Sequence, residues 1–297
     1  MPQRRAPVIA MGLLLGAFGS HQALGQPPPA PAHHGTLPAV SPDGRQVAFI
    51  SDRDGQVDLY VTGAEGGEAR RLTSTATQEG RPTWSGDGRE IFVSRSAEGS
   101  STLVAIAYPA GTERIVARVD GRLPIALGSG RVLYATGDWG SMQLASAALD
   151  GSDVRRVSDG VGAIWGASVA PDAGRIAFGR SDAGTLQVST MRADGRDVRP
   201  IGPLDGRAQM PAWSADGARL AIQVDTKPGG TAQARIWVVD VGTGARQELA
   251  AGTPGHHDEV PAWFPDGRRV AFQSDRSGRF EIWTIDVASG ALHQLTR

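Results

Sequence analysis

Cysteine and asparagine are both absent from the 297 residues, and Lys227 is the only lysine. Without cysteine the chain can form no disulfide, no thiolate metal site and no cysteine nucleophile. It also lacks an excess of charge. Its 30 basic and 31 acidic side chains leave a formal net charge of -1, so no global field draws a polyanion, and nucleic acid is not an expected partner. Aromatic residues are sparse at 6%, whereas glycine (40) and proline (19) are plentiful, a composition suited to many short strands and turns rather than to a helical bundle.

One apolar run stands out, Val8 to Phe18, and it is too short to span a bilayer as a stable helix. Arg4 and Arg5 precede it, and the small residues Ala23 and Gly25 follow. That order of basic, apolar and small residues reads as a secretory signal over residues 1–25, cleaved before Gln26. No cysteine follows the run, so a lipoprotein anchor is excluded. Residues 26–36 form a proline-rich linker, with four prolines between Gln26 and His34 that favour extended geometry and cannot build a core. No membrane span is expected once the signal is removed.

The remaining residues, 37–297, repeat. A unit of the form P-x-W-S-x-D-G followed by a short apolar strand is clear at Pro38–Gly44, Pro82–Gly88, Pro211–Gly217 and Pro261–Gly267. Two worn copies read Leu127-Gly128-Ser129-Gly130 and Ala170-Pro171-Asp172-Ala173-Gly174 at the turn. The marker positions 43, 87, 129, 172, 216 and 266 are 44, 42, 43, 44 and 50 residues apart, the length that four short strands and their turns require. The expected fold is therefore all-β, a six-bladed β-propeller with four-stranded antiparallel blades.

Each unit has a physical parse. Ser-Pro-Asp-Gly fixes φ with proline and supplies positive φ with glycine, the chemistry of a tight hairpin between first and second strands. Proline recurs five residues before the marker, with Ala167 in its place in copy four. It cannot donate to a sheet ladder, so the first strand is expected at the blade edge lining the channel. Second strands such as Val47–Ile50 and Val270–Phe272 are apolar without alternation, as strands buried on both faces should be. Trp84, Trp213 and Trp263 share one repeat position and read as blade-packing residues. Asp52-Arg53-Asp54-Gly55 and Asp275-Arg276-Ser277-Gly278 follow second strands and suggest a repeated Asp-Arg pairing or turn. No swapped strand is apparent to fasten the ring, which leaves packing of blade one on blade six to close it, unless residues 32–37 add a strand.

Over residues 37–297 the chain resembles the TolB-type propeller repeat, also seen in the N-terminal propellers of prolyl oligopeptidase-like peptidases. The resemblance implies a rigid ring with a binding surface at one end of its channel. No α/β-hydrolase domain is expected after Arg297, and there is no G-x-S-x-G elbow; Gly166-Ala167-Ser168-Val169-Ala170 lacks the second glycine.

Loops entering the first strands, and those between second and third strands, surround one mouth of a propeller channel. The repeats place Glu79, Arg81, Arg122, Trp165, Arg207, Gln209, His256, His257, Asp258 and Glu259 there as candidate binding residues. Trp165 breaks the tryptophan register and is either a partner contact or a packed ring. Adjacent His256 and His257 could offer a metal two imidazoles, but neighbours in a loop point apart and no H-x-x-x-H pair supports them. No catalytic residue, metal or cofactor is assigned. The expected function is that of a monomeric periplasmic or secreted platform for an envelope protein or peptide. The alternative is a secreted hydrolase or lyase acting on saccharide or peptide, metal-assisted through His256 and His257.

Overall fold

The computed structural model describes residues 34–297 apart from 98–99, 120–121, 128–129, 138–140, 149, 151, 159, 161, 183–184, 227–232 and 250–254. The signal sequence, the linker up to residue 33, and the worn marker Ser129 lie outside the described residues. Six four-stranded antiparallel sheets follow one another, each a simple meander of consecutive strands. Blade one comprises Thr36–Val40, Gln46–Ser51, Asp58–Gly63 and Arg70–Arg71, and blade six Asp258–Trp263, Arg269–Ser274, Glu281–Asp286 and Leu292–Gln294. The chain is a six-bladed β-propeller.

The turn chemistry operates as the motif dictates. Ser41 Oγ donates to Asp43 Oδ1 at 2.6 Å and accepts from Gln46 N at 3.0 Å, while Gly44 takes φ 70°. The same bonds recur at Ser85–Asp87 (2.7 Å) and Ser214–Asp216 (2.5 Å). In all three turns the serine hydroxyl, helped by a backbone N–H, holds the aspartate below its ordinary pKa. Blade six substitutes Phe264 for the serine, and that ring is fully buried between blades six and one.

The hydrophobic core is divided into six clusters, one at each seam between neighbouring blades. Val47 and Phe49 face blade six, whereas Ala48 and Ile50 on the same strand face blade two. That is the reason second strands lack a polar face: each side of the sheet is an interior.

First strands of neighbouring blades meet one another, so they are the inner strands; Pro38, Pro211 and Pro261 on them, and Pro82 immediately before Thr83–Trp84, are buried. The residue before the proline, or before Ala167, takes a left-handed conformation in four blades: Leu37 (φ 55°), Gly166 (φ 56°), Met210 (φ 49°) and Val260 (φ 50°). Strand register slips at each of these points. A β-branched valine in this region is a true outlier, costing about 1–3 kcal/mol that the surrounding packing must offset. Glycine is needed in blade four, because a Cβ at Gly166 would meet Met210 Sδ at 2.7 Å.

The ring closes by packing and hydrogen bonding between blades one and six. Gly35 N donates to Phe280 O at 3.1 Å, Leu37 N to Gln273 Oε1 at 2.9 Å, and Arg269 pairs with Glu65 at 2.7 Å. Thr36 already belongs to the first strand of blade one, and among the described residues no strand crosses from one sheet to another.

A second clasp repeats at other seams. Arg175 lies 4.7 Å from the Trp213 ring and donates to Gly217 O, and Arg219 lies 4.6 Å from the Trp263 ring and donates to Gly267 O. Trp213 and Trp263 are thus inter-blade packing residues, each capped by an arginine of the preceding blade, while Trp84 packs edge-on to Tyr108 and donates to Ala39 O of blade one at 3.0 Å. Arg53 and Arg276 do something similar within a blade, over Phe49 and Tyr60 and over Phe272 and Trp283 respectively. Both Asp-Arg-x-Gly segments form the expected turn, closed by Gly55 N to Asp52 O and by Gly278 N to Asp275 O at 2.8 Å each, and within it the arginine stacks on rings rather than pairing with the adjacent Asp.

Candidate functional site

At the mouth, blades five, six and one carry a linked set of polar side chains. Gln223 and Gln273 occupy the same position on consecutive second strands. Gln223 Oε1 accepts from Val260 N at 3.3 Å and Gln273 Oε1 accepts from Leu37 N at 2.9 Å, so each glutamine satisfies the N–H of the left-handed residue on the next blade. Their amide nitrogens turn to carboxyls: Gln223 to Asp225 Oδ1 at 2.8 Å, Gln273 to Glu259 Oε2 at 2.9 Å. Gln209 Nε2 donates to the other oxygen of Asp225 at 2.7 Å. Buried polar groups of this kind are costly unless paired, and here the glutamines pair them.

Burial dominates the electrostatics. It pushes Glu259 up to about 8, with the neighbouring charges of Asp225, Asp275 and Asp258 adding to the effect and the Gln273 hydrogen bond opposing it. Asp225 is raised as well, again chiefly by burial. At neutral pH the mouth therefore carries less negative charge than its carboxyl count suggests.

Of the residues expected at the mouth, Gln209, His257 and Glu259 come together around Asp225. His257 Nδ1 is 3.7 Å from Glu259 Oε1, and its backbone N–H donates to Asp275 Oδ1 at 2.7 Å. His256 and Asp258 turn the other way. His256 is buried and held below its ordinary pKa by that burial, and its Nε2 stands 3.6 Å from Asp258 Oδ2. Asp258 Oδ1 accepts from Arg276 at 2.5 Å. The two imidazoles thus diverge, and among the described residues no group of three or more His, Asp or Glu side chains converges to hold a metal.

Glu79 is buried at the seam of blades one and two. It accepts from Thr73 Oγ1 (2.6 Å), Leu59 N (2.9 Å) and Arg95 Nη2 (2.7 Å), which leaves it little capacity for a ligand. Trp165 is half-buried against the blade-four core. Arg207 is exposed. Arg122 starts a first strand at Arg122–Leu127, and its side chain lies outside the described residues. Arg81 is half-buried and reaches from blade two to Pro261 O of blade six, 3.3 Å away.

Asp225, Asp275, Gln223 and Gln273 escaped the sequence reading as site residues. The signal was there in part: a glutamine seven residues after the marker in copies five and six.

This frame and mouth define a class, the β-propellers that present polar residues at one end of a closed ring. The family model described as TolB beta propeller domain matches residues 30–215 and 141–297, and the chain belongs to that family. Locally it is 52% identical over 68 residues to the Bacillus subtilis (strain 168) protein named Uncharacterized peptidase YuxL, covering 22% of this chain and 10% of that protein. It is 41% identical over 73 residues to Tricorn protease homolog 1 of Streptomyces coelicolor, covering 24% and 6%. The matched segments are thus small fractions of those relatives. TolB from Acinetobacter baumannii superposes with a TM-score of 0.71 at 17% identity, over 86% of this chain and 65% of that one. Oligogalacturonate lyase from Vibrio parahaemolyticus gives 0.57 at 14% identity, over 90% and 79%. At such identities the likeness is one of fold.

Proposed function

We propose that this chain is an exported scaffold, monomeric in the periplasm or outside the cell, which receives an envelope protein or peptide at the mouth of its channel. The observation that carries the reading is the hydrogen-bonded set around Asp225 and Glu259, built on rigid inner and second strands, with Arg207 exposed beside it. A preorganised polar rim on a stiff ring lowers the entropic cost of binding. Export rests on the basic, apolar and small-residue order of the first 25 residues.

Peptidases and lyases share this frame, so the ring alone does not separate binding from catalysis. The test is capture from envelope extract by the wild-type chain and by an Arg207→Glu, His257→Glu double variant. Loss of the captured partner with an unchanged melting temperature is expected. Capture of the same partner by both would move the binding surface away from the mouth. A metal bound stoichiometrically, and lost with His256→Ala, would replace the binding reading with a catalytic one.

A further inference from the structure

Arg81 stands apart from the other arginines of the inner ring. Its side chain leaves blade two and places its tip against Pro261 O of blade six at 3.3 Å. A side chain that joins the inner strands of two non-adjacent blades must enter the channel. Pro261 O is its one hydrogen-bond acceptor among the described residues, and no carboxylate lies within ion-pair distance of it there. Glu79, two residues away, is occupied by Arg95, Thr73 and Leu59 N.

A guanidinium has five N–H donors and keeps its charge in any protein environment. Removal from water with no counter-charge is expensive, and a chain that retains such a cation in a channel leaves it open to an anion from outside. Burial lowers the Arg81 pKa to about 10, so the group remains a cation at neutral pH. Glu259, whose pKa burial raises to about 8, adds little repulsion for an incoming anion at neutral pH.

We propose that Arg81 is an anion receptor within the channel and that it takes a carboxylate of the bound peptide, from an acidic side chain or from the C-terminus. This rests on the channel mouth being the binding surface. The planar fork matches a carboxylate through two parallel N–H donors, a geometry lysine cannot reproduce.

The test uses three fluorescein-labelled hexapeptides: a capped Gly-Ser-Glu-Glu-Ser-Gly, its capped Gln-Gln counterpart, and the Gln-Gln peptide with a free C-terminus. The full chain should bind one of the carboxylate-bearing probes about tenfold more tightly than the capped Gln-Gln probe. Which of the two it prefers identifies the source of the carboxylate. Arg81→Met should abolish the preference and Arg81→Lys should keep part of it. Because Arg81→Met removes a half-buried charge that has no counter-charge, it should melt at or above the wild-type temperature. Equal binding of all three probes, binding of none, or a preference that survives Arg81→Met would overturn the assignment. So would a fall in melting temperature of more than about 5 °C in Arg81→Met, which would make Arg81 a structural strut. Equal binding of all probes that is lost in the Arg207→Glu, His257→Glu variant would retain the mouth as a binding surface while removing the carboxylate receptor. Absence of probe binding together with failed envelope capture would remove both.

Discussion

Replacing Glu259 by glutamine should make the propeller more stable at pH 8 than the wild type and leave the two nearly equal at pH 5. The residue is 5% exposed, and its carboxyl pKa is raised from 4.5 to about 8. The folded state therefore keeps a proton that the unfolded chain releases between those two pH values. For an acid whose folded pKa lies above its unfolded one, the stabilising contribution is fully present below about pH 4.5 and is lost as pH rises through about 8. Each tenfold difference in proton affinity is worth about 1.4 kcal/mol, so the ceiling for this group is about 5 kcal/mol. Relaxation and water entry around the ionised carboxylate bring the expected change to about 2–3 kcal/mol. Glutamine preserves the shape and can still accept from Gln273, which isolates the charge from the packing. Urea unfolding of both proteins at half-unit steps from pH 5 to 8.5 gives the comparison directly. A difference in unfolding free energy that grows by about 2 kcal/mol or more over this range is expected. A flat difference would show that Glu259 ionises normally and that its burial does not govern the mouth.

Gln273→Leu leaves Leu37 N–H without an acceptor and Glu259 without its donor, and should cost about 2–4 kcal/mol by urea unfolding, against a negligible effect for exposed Gln247→Leu. Arg219→Ala uncovers Trp263 and loses the bond to Gly267 O; a cost of about 1–2 kcal/mol is expected, additive with Arg175→Ala because the two clasps sit at different seams. Ser214→Ala should raise the Asp216 pKa, read by carboxyl NMR titration, since the serine hydroxyl is the chief cause of its depression. Gly166→Ala should destabilise by more than the few tenths of a kcal/mol typical of surface changes, as both its φ and Met210 oppose a Cβ.

The parts of the molecule that local chemistry determines were legible in the sequence. In blades one, two and five Ser-x-Asp-Gly forms the hairpin through contacts two to five residues apart, so those copies announce themselves without reference to the others. The count of blades follows from the period, and the inner position of the first strand follows from a proline that cannot donate. What the sequence concealed is set by partners far along the chain. Gln273 reads as a polar interruption of an apolar strand until Leu37, 236 residues away, supplies the N–H it accepts from. Glu79 looks like a solvated loop residue because nothing local shows that Arg95, Thr73 and Leu59 N enclose it. His256 and His257 are adjacent in sequence yet face Asp258 and Glu259 on separate sides, a consequence of strand alternation at the start of the inner strand.

The mouth is also where the repeat departs from its own rules. Six seams of ordinary apolar packing support inner strands in which the pre-proline residues Leu37, Met210 and Val260 are left-handed, and second strands that carry Gln223 and Gln273 where blade one has Ile50, with Glu259 buried enough to hold its proton near neutrality. Each departure costs stability locally, and a ring held by six independent clusters can absorb that cost. Gln223 and Gln273 tie the departures together: the left-handed turn exposes an N–H, the glutamine takes it, and the same side chain's amide then orients a carboxyl at the rim. Backbone strain and site polarity are thus one arrangement used twice in succession, each time at a left-handed residue followed by a proline that cannot donate to the ladder.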